Sequence, residues 1–373
     1  RQAIEIDLIL DAVQPELDRF FANLRNRADS LRVVSAQAFC KARYQISALV
    51  FAEVNQKLMA LVEAHLGFPR WHGLRVIAAD GSAVRLTVIK NLKRTIANGV
   101  AFGLYLPGIE LFLDFALHEP CCNERQMLFE RLDLLREDDL LVLDRGFPCR
   151  WLVCALTARR IPFCIRCDIA TGFTVVRKFR QSGATEQIVT LPAPTRQEAA
   201  DYECPATPTT VRLIRVVTPN GRIHVVMTSL LDPAAFPANA FAHLYHGRWR
   251  VEEAFKRIKH RLGLEQTSGL SWHAARQDFG AKAVCDNLNA LAAYVATDAH
   301  LDPDSPYKIN RTQAFDKIKR QLGRWLLAAQ ATLRRVKSVL AELAKNLQKF
   351  VPDRANPHPA RPKPHRHHAY KPI

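Results

Sequence analysis

Apolar residues recur at helical spacing from Ile4 to Leu24 and again from Ala48 to Leu66, a pattern that predicts helices over the first 70 residues. Between them Ser35 is placed to cap a short helix through Tyr44 that carries Gln37, Lys41 and Arg43. That stretch fits a DNA-reading helix-turn-helix and an ordinary helical subdomain equally well. From Arg75 the pattern changes to strands, over Val76 to Ala79, Gly99 to Tyr105 and Glu110 to Ala116, with Pro107-Gly108 turning the last two into a hairpin. A helix over Asn123 to Leu135 follows, and then the unbroken apolar run Leu140 to Leu143, which reads as a strand buried on both faces. A helix (Arg150 to Arg159) and a strand (Phe163 to Cys167) extend this mixed α/β order.

Residues 171 to 231 alternate differently. Runs at Thr174 to Phe179, Gln187 to Leu191, Thr210 to Val217 and Ile223 to Leu230 read as strands of an inserted β-rich layer, the last two flanking the hairpin signal Pro219-Asn220-Gly221. Helices return from Ala238, including Ala274 to Ala296 and a long basic one over Gln313 to Lys349, and the Pro-, His- and Arg-rich segment from Pro352 reads as disordered. The expected organisation is a helical region over 1–70, an α/β core over 71–170 and 236–300 interrupted by the β-rich 171–235, a basic helical region over 301–351, and a tail over 352–373.

With 373 residues, 48% of them hydrophobic, the chain can bury a sizeable core. No apolar run reaches the roughly 20 residues of a membrane-spanning helix. Charges in Arg1 to Asp7 stand where a secretory signal would be apolar, which favours a cytoplasmic, nucleoid-associated protein without membrane contact. The chain opens on Arg1, not methionine, so residues before it are expected. Nine scattered cysteines suit a reducing compartment. Cys164-Ile-Arg-Cys167 has metal-ligand spacing, but its thiols would point to opposite faces of a strand and no second pair lies nearby, so it reads as packing.

Net charge is +17, and residues 311 to 373 hold 15 Lys or Arg against 3 Asp or Glu. Such asymmetry points to a polyanion, since each cation that neutralises a phosphate releases a condensed counterion.

Two aspartates stand at expected strand ends, Asp80 before Gly81-Ser82 and Asp144 before Arg145-Gly146. Carboxylates projecting from adjacent strand ends can share a hard cation, although a lone Asp there is more often a turn former. In Tyr245-His-Gly-Arg-Trp-Arg-Val-Glu-Glu-Ala-Phe-Lys-Arg-Ile-Lys259, Tyr245, Arg248, Glu252, Lys256 and Lys259 share one face of a helix at about 100° per residue. Spacing alone fits two readings. One is a solvated stripe with a Glu252–Lys256 pair worth about 0.2–0.5 kcal/mol; the other is an acid that binds metal among cations that bind phosphate.

The Tyr-(2)-Arg-(3)-Glu-(6)-Lys spacing of Tyr245, Arg248, Glu252 and Lys259, with Asp80 in Ala-Ala-Asp-Gly-Ser and Asp144 in Leu-Asp-Arg-Gly-Phe, resembles the DDE-type bacterial insertion-sequence transposases of the insertion sequence four family, over residues 71 to 270. The resemblance implies a ribonuclease-H-like catalytic core with a β-rich insertion and helical flanks. It also implies a DNA transposase in which Asp80, Asp144 and Glu252 are catalytic and hold two Mg2+ ions, with Mn2+ as a substitute and no organic cofactor or small-molecule substrate. Asp80 would bridge both ions. Tyr245, Arg248 and Lys259, joined by Lys256, would grip phosphates of double-stranded transposon-end and target DNA, in a dimeric synaptic complex. Relatives cut through a DNA hairpin with a flipped base on an aromatic residue; here the insertion offers Phe173, Phe179 and Tyr202 and no tryptophan. His246 and Trp249 are expected in packing or phosphate contact, and His365, His367 and His368 in a basic tail. The alternatives are an RNase-H-like nuclease that does not join strands, and a catalytically silent DNA-binding relative.

Overall fold

The computed structural model describes residues 13–120, 123–167, 172–217, 223–302, 305–327 and 332–349. The expected disordered segment from Pro352, the histidines 365, 367 and 368, and the Pro219-Asn220-Gly221 turn lie outside these residues. No described helix is long and apolar enough to cross a membrane. The chain forms two compact units, one whose described residues fall within 55–83 and 99–257, and one built from 1–54, 84–98 and 258–373.

The first unit is built on a mixed sheet. Its strands are β1 (Arg70–Trp71), β2 (Leu74–Lys90), β3 (Lys93–Leu106), β4 (Leu111–His118), β5 (Asp139–Leu143), β6 (Phe163–Cys167), β7 (Glu186–Leu191), β8 (Thr209–Val217) and β9 (Ile223–Thr228). They lie in the order β4-β3-β2-β5-β6-β9-β8-β7, with β1 beside β2. The antiparallel strands β2 to β4 followed by parallel β5 and β6 make the ribonuclease-H-like core that the motifs imply. Central β5 is buried at every position, as a parallel strand covered on both faces requires. A parallel pair needs a crossover, and between β5 and β6 it is helix α5 (Arg150–Ala158), whose residues Trp151 to Leu156 are all buried; α1 (Val13–Leu24), α2 (Ala36–Tyr44), α3 (Val50–His65) and α4 (Glu124–Phe129) precede it in the chain.

Register across β2 and β5 is set at the start of the two strands. Arg75 lies opposite Asp139 and donates to both of its carboxylate oxygens at 2.6 and 2.8 Å, with the side chains 3% and 0% exposed. Breaking a buried pair of this kind is strongly destabilising because it strands a charge, so a slip in register is disfavoured. Pairing runs to Ala78 opposite Val142. Asp80 and Asp144 each lie two residues beyond that last pair, close enough for Asp144 to raise the Asp80 carboxyl.

Several expectations are corrected. β2 does not end at Asp80 but continues through Gly81-Ser82 to Lys90, with Val84, Leu86 and Val88 buried in alternation; what ends near Asp80 is the pairing with β5. Thr174 to Phe179 is a helix, α6 (Thr174–Ser182): Phe173, Val176 and Phe179 are buried at a spacing of three, and Gly183 at φ 75° stops it. The segment after β6 is no separate layer, because β9 pairs antiparallel with β6 and so continues the central sheet; it also contains the short helix α7 (Arg196–Asp201). The helix expected from Asn123 to Leu135 stops at Phe129 and gives way to a 3-10 turn over Leu132–Leu134.

In the second unit, α1 (Val13–Leu24), α2 (Ala36–Tyr44), α10 (Trp272–His300), α11 (Arg311–Leu327) and α12 (Thr332–Leu343) dominate. Ser35 caps α2 as expected, accepting from the Ala38 amide. Arg43 is tied to Gln277, Asp278, Ser268 and the Ala274 carbonyl around the start of α10, so it holds the helices together, while Gln37 and Lys41 are exposed. The single basic helix expected over Gln313 to Lys349 is α11, α12 and a strand, β11 (Leu347–Lys349), which pairs with β10 (Tyr307–Ile309). Ile309, Ala314, Ile318, Val339 and Leu343 share one core with Ala293 and Ala296.

Candidate active site

Every group discussed next, Lys259 excepted, belongs to the sheet-based unit. Asp80, 14% exposed, faces Arg248, whose Nη1 lies 4.0 Å from Asp80 Oδ2 and whose Nη2 donates to Glu252 Oε1 at 2.6 Å. Asp144 follows β5 directly and accepts from the Gly146 amide at 2.7 Å, a local turn that holds the carboxylate at the strand end. The β2–β5 pairing that ends near both aspartates and the contacts of Arg248 thus bring the three predicted carboxylates near one another.

Tyr245 and Glu252 lie on two helices rather than one. Helix α8 (Ala240–Gly247) ends and α9 (Trp249–His260) begins around Arg248, which keeps helical angles but makes tightened bonds, Arg248 N to Tyr245 O and Val251 N to Arg248 O. Tyr245 is 6% exposed and packs in the core beside Val142 and Leu140. Arg248 is 3% exposed, with its guanidinium 5.7 and 5.5 Å from the Tyr245 and Trp249 ring centroids. Its Nε and Nη1, and the Tyr245 hydroxyl, are buried with no hydrogen-bond partner. Burial pushes the Tyr245 hydroxyl up to about 12, against the pull of the nearby Arg248 and Arg166 charges.

The remaining predicted residues are not all gathered in. Lys256 is exposed and pairs with Glu253 at 2.7 Å, not with Glu252; both partners face water, where such pairs contribute little. Lys259 falls on the last turn of α9, in the part of that helix that clusters with the other unit. His246 and Trp249 are exposed, the latter by 46%, so neither packs in the core. Phe173 and Phe179 are buried, and Tyr202 stacks on Trp151 at 3.5 Å. Cys164 and Cys167 are buried free thiols pushed up by burial, as expected of packing.

A fourth carboxylate, which sequence reasoning missed, is Glu124. It opens α4 (Glu124–Phe129) after the capping Asn123, and Arg125 beside it donates to the Gly146 carbonyl at 2.9 Å. In sequence a Glu in the first helical turn reads as a dipole partner, and nothing local reveals the neighbours the fold brings to it. Burial raises the Asp80 carboxyl to about 7, opposed by Arg248 and reinforced by Glu252, Glu124 and Asp144. Glu124 is also raised, by burial first and then by Asp144.

Among the described residues, no group of three or more His, Cys, Asp or Glu side chains is arranged so that it could hold a metal ion. The donor chemistry nevertheless fits a divalent cation. Glu252, Glu124 and Asp144 all lie close enough to Asp80 to raise its carboxyl, carboxylates are the ligands that Mg2+ and Mn2+ prefer, and Glu252 is held by Arg248.

Residues 71–288, more than half the chain, match the family model of the transposase DDE domain. The chain belongs to that family. Proteins of this family are transposases, DNA-transposing enzymes that use divalent metal ions. No curated protein matches the chain. Among solved structures, the cryo-EM structure of the piggyBac transposase synaptic complex with hairpin DNA aligns at 11% identity and a TM-score of 0.42, over 76% of this chain and 59% of that one. The chain therefore spans less than two thirds of that protein's length.

Proposed function

We propose that this transposase domain cuts transposon ends and joins them to target DNA by divalent-cation-dependent phosphoryl transfer, with Asp80, Asp144 and Glu252 as the catalytic carboxylates. The observation that supports this reading is that Arg248 contacts both Asp80 and Glu252, while Glu252 and Asp144 both lie near enough to Asp80 to raise its carboxyl.

Two divalent cations held by these carboxylates would stabilise the attacking and leaving oxygens of an in-line displacement at phosphorus. The chain's own groups supply the rest. Arg248 presents its buried Nε and Nη1, neither with a hydrogen-bond partner, beside the Tyr245 hydroxyl, a donor set suited to a phosphate oxygen. A phosphate there would compete with Glu252 for the guanidinium and so release that carboxylate toward the cation site. Burial of Asp80 keeps bulk water from screening the charges that act on the phosphoryl group.

The test uses a duplex carrying the element's ends, with Mg2+. Alanine in place of Asp80, Asp144 or Glu252 is expected to lower cleavage at least about 10³-fold, on the scale of lost transition-state charge stabilisation, and to leave DNA binding largely intact. Normal cleavage by the Glu252 variant overturns the assignment. Joining of a cut end into a plasmid separates a transposase from a nuclease that only cuts.

A further inference from the structure

The far end of the β2–β3 hairpin, residues 84–98, clusters with the helical unit, and its stem and its tip are built differently. In the stem Val84, Leu86 and Val88 are buried. The Arg85 amide donates to Glu265 Oε1 at 3.0 Å, and the Ile89 amide donates to the Leu270 carbonyl at 2.9 Å. These contacts hold the stem against its own unit. At the tip, by contrast, every residue from Ile89 to Ile96 is exposed except as its backbone is paired. Lys90, Lys93 and Arg94 put three cations into five residues, and no Asp or Glu occurs from Gly81 to Ile109. A tip with that charge fits a polyanion.

The turn supplies a second observation. Asn91 and Leu92 stand at φ 51° and 62°, a conformation that asparagine tolerates and leucine resists, and Leu92 is 97% exposed. Leucine here costs stability twice, through its backbone and through an apolar side chain left in water. Strain of this kind collects where a segment meets a ligand. An apolar residue at the end of a basic two-stranded ribbon has the chemistry of a DNA wedge, in which Leu, Ile, Met or Phe enters a base step while cations hold the neighbouring phosphates. Transposases act on DNA, so duplex DNA is the polyanion that favours this reading over an acidic protein.

From this geometry we infer that the hairpin tip is a DNA-bending wedge: Leu92 enters a base step from the minor groove, and Lys90 and Lys93 hold phosphates on either side. The inference rests on DNA as the substrate proposed above, and not on the carboxylates.

The full chain in EDTA, mixed with nonspecific duplexes that carry 2-aminopurine at TA steps, tests it. TA steps unstack easily, and EDTA keeps the cation chemistry out of the readout. The parent protein is expected to raise 2-aminopurine fluorescence, which reports lost stacking, and to bring the duplex ends closer in an energy-transfer measurement. Leu92→Gly keeps the turn and should lose most of both signals while urea unfolding shows an intact fold; Leu92→Met should retain them. Lys90→Gln together with Lys93→Gln should lower the slope of log K against log salt by about 1.8, for two phosphates at about 0.9 each. An unchanged slope overturns the role of the two lysines. Full unstacking and bending by Leu92→Gly overturns the wedge and leaves DNA as the substrate, whereas a parent protein that binds no duplex removes both. A lower mass of the DNA-free protein in Leu92→Gly, with both DNA signals unchanged, would assign the tip to contact between copies and also overturn the wedge.

Discussion

At the scale of single residues, the candidate site gathers carboxylates whose closeness and burial oppose ionisation. Asp80 shows this best. Its carboxyl is raised from 3.8 to about 7, first by burial and then by the neighbouring acids, so the folded state holds a proton there that the unfolded chain releases. Stability from this group is fully present below about pH 4 and is lost as pH rises through 7. Asp80→Asn stays neutral throughout. In EDTA it is expected to be more stable than the parent at pH 8 and no more stable at pH 4. Each tenfold change in proton affinity is worth about 1.4 kcal/mol, which caps the gain at about 4 kcal/mol. Urea unfolding at the two pH values reads the difference, and equal stability at pH 8 would mean that the acids do not repel as described. The motifs pointed to Asp80, Asp144, Glu252, Tyr245 and Arg248 through the family resemblance they carry, because their spacing is local. Glu124 was invisible for the opposite reason: it is separated from both aspartates in sequence, and only the descent of α4 onto Gly81 and Gly146 gives it meaning.

At the scale of elements, strands and helices with a strong period were legible, and departures came where two periods competed. The run Leu140 to Leu143 became β5 as read, whereas Thr174 to Phe179 has β-branched residues but buries every third position and so forms α6. The distal β2–β3 hairpin went unread because its turn lacks the Asn-Gly signal. Asn91 and Leu92 occupy it at φ 51° and 62°, values both central residues of a two-residue hairpin turn need and that leucine adopts only at a cost. Leu92 is 97% exposed, so its side chain contributes no burial to offset that strain. Leu92→Gly is therefore expected to stabilise the protein by roughly 0.5–1 kcal/mol, after allowance for glycine's greater freedom in the unfolded chain. An unchanged or lower denaturation midpoint would show that the strain is absorbed elsewhere.

At the scale of the whole molecule, the basic excess of residues 311 to 373 fits a polyanionic partner, and the helical unit changes how that idea should be tested. Removing everything after Asn310 would strip Ala314, Ile318, Val339 and Leu343 from the core they share with α10. Arg334, Arg335 and Lys337 on α12 are exposed, so replacing all three with Gln alters charge with little effect on that core. Binding to nonspecific duplex should then show a shallower dependence of log K on log salt, by about 0.9 for each phosphate that is no longer neutralised. An unaltered slope would remove this helix from the DNA-binding surface.

By itself the sequence determined a mixed α/β order and the Tyr-Arg-Glu-Lys spacing, since each depends on local periodicity or on residue type, and the resemblance carried by its motifs implied the ribonuclease-H-like class and the acidic site. Only the tertiary structure decided that Asp144 and Glu124 come close to Asp80, that Arg248 is buried beside Asp80 and Glu252, and that Lys256 turns to Glu253. Those facts follow from strand register and burial. Both are set by contacts between segments far apart in the chain, such as the Arg75–Asp139 pair, and spacing along a sequence does not encode such contacts.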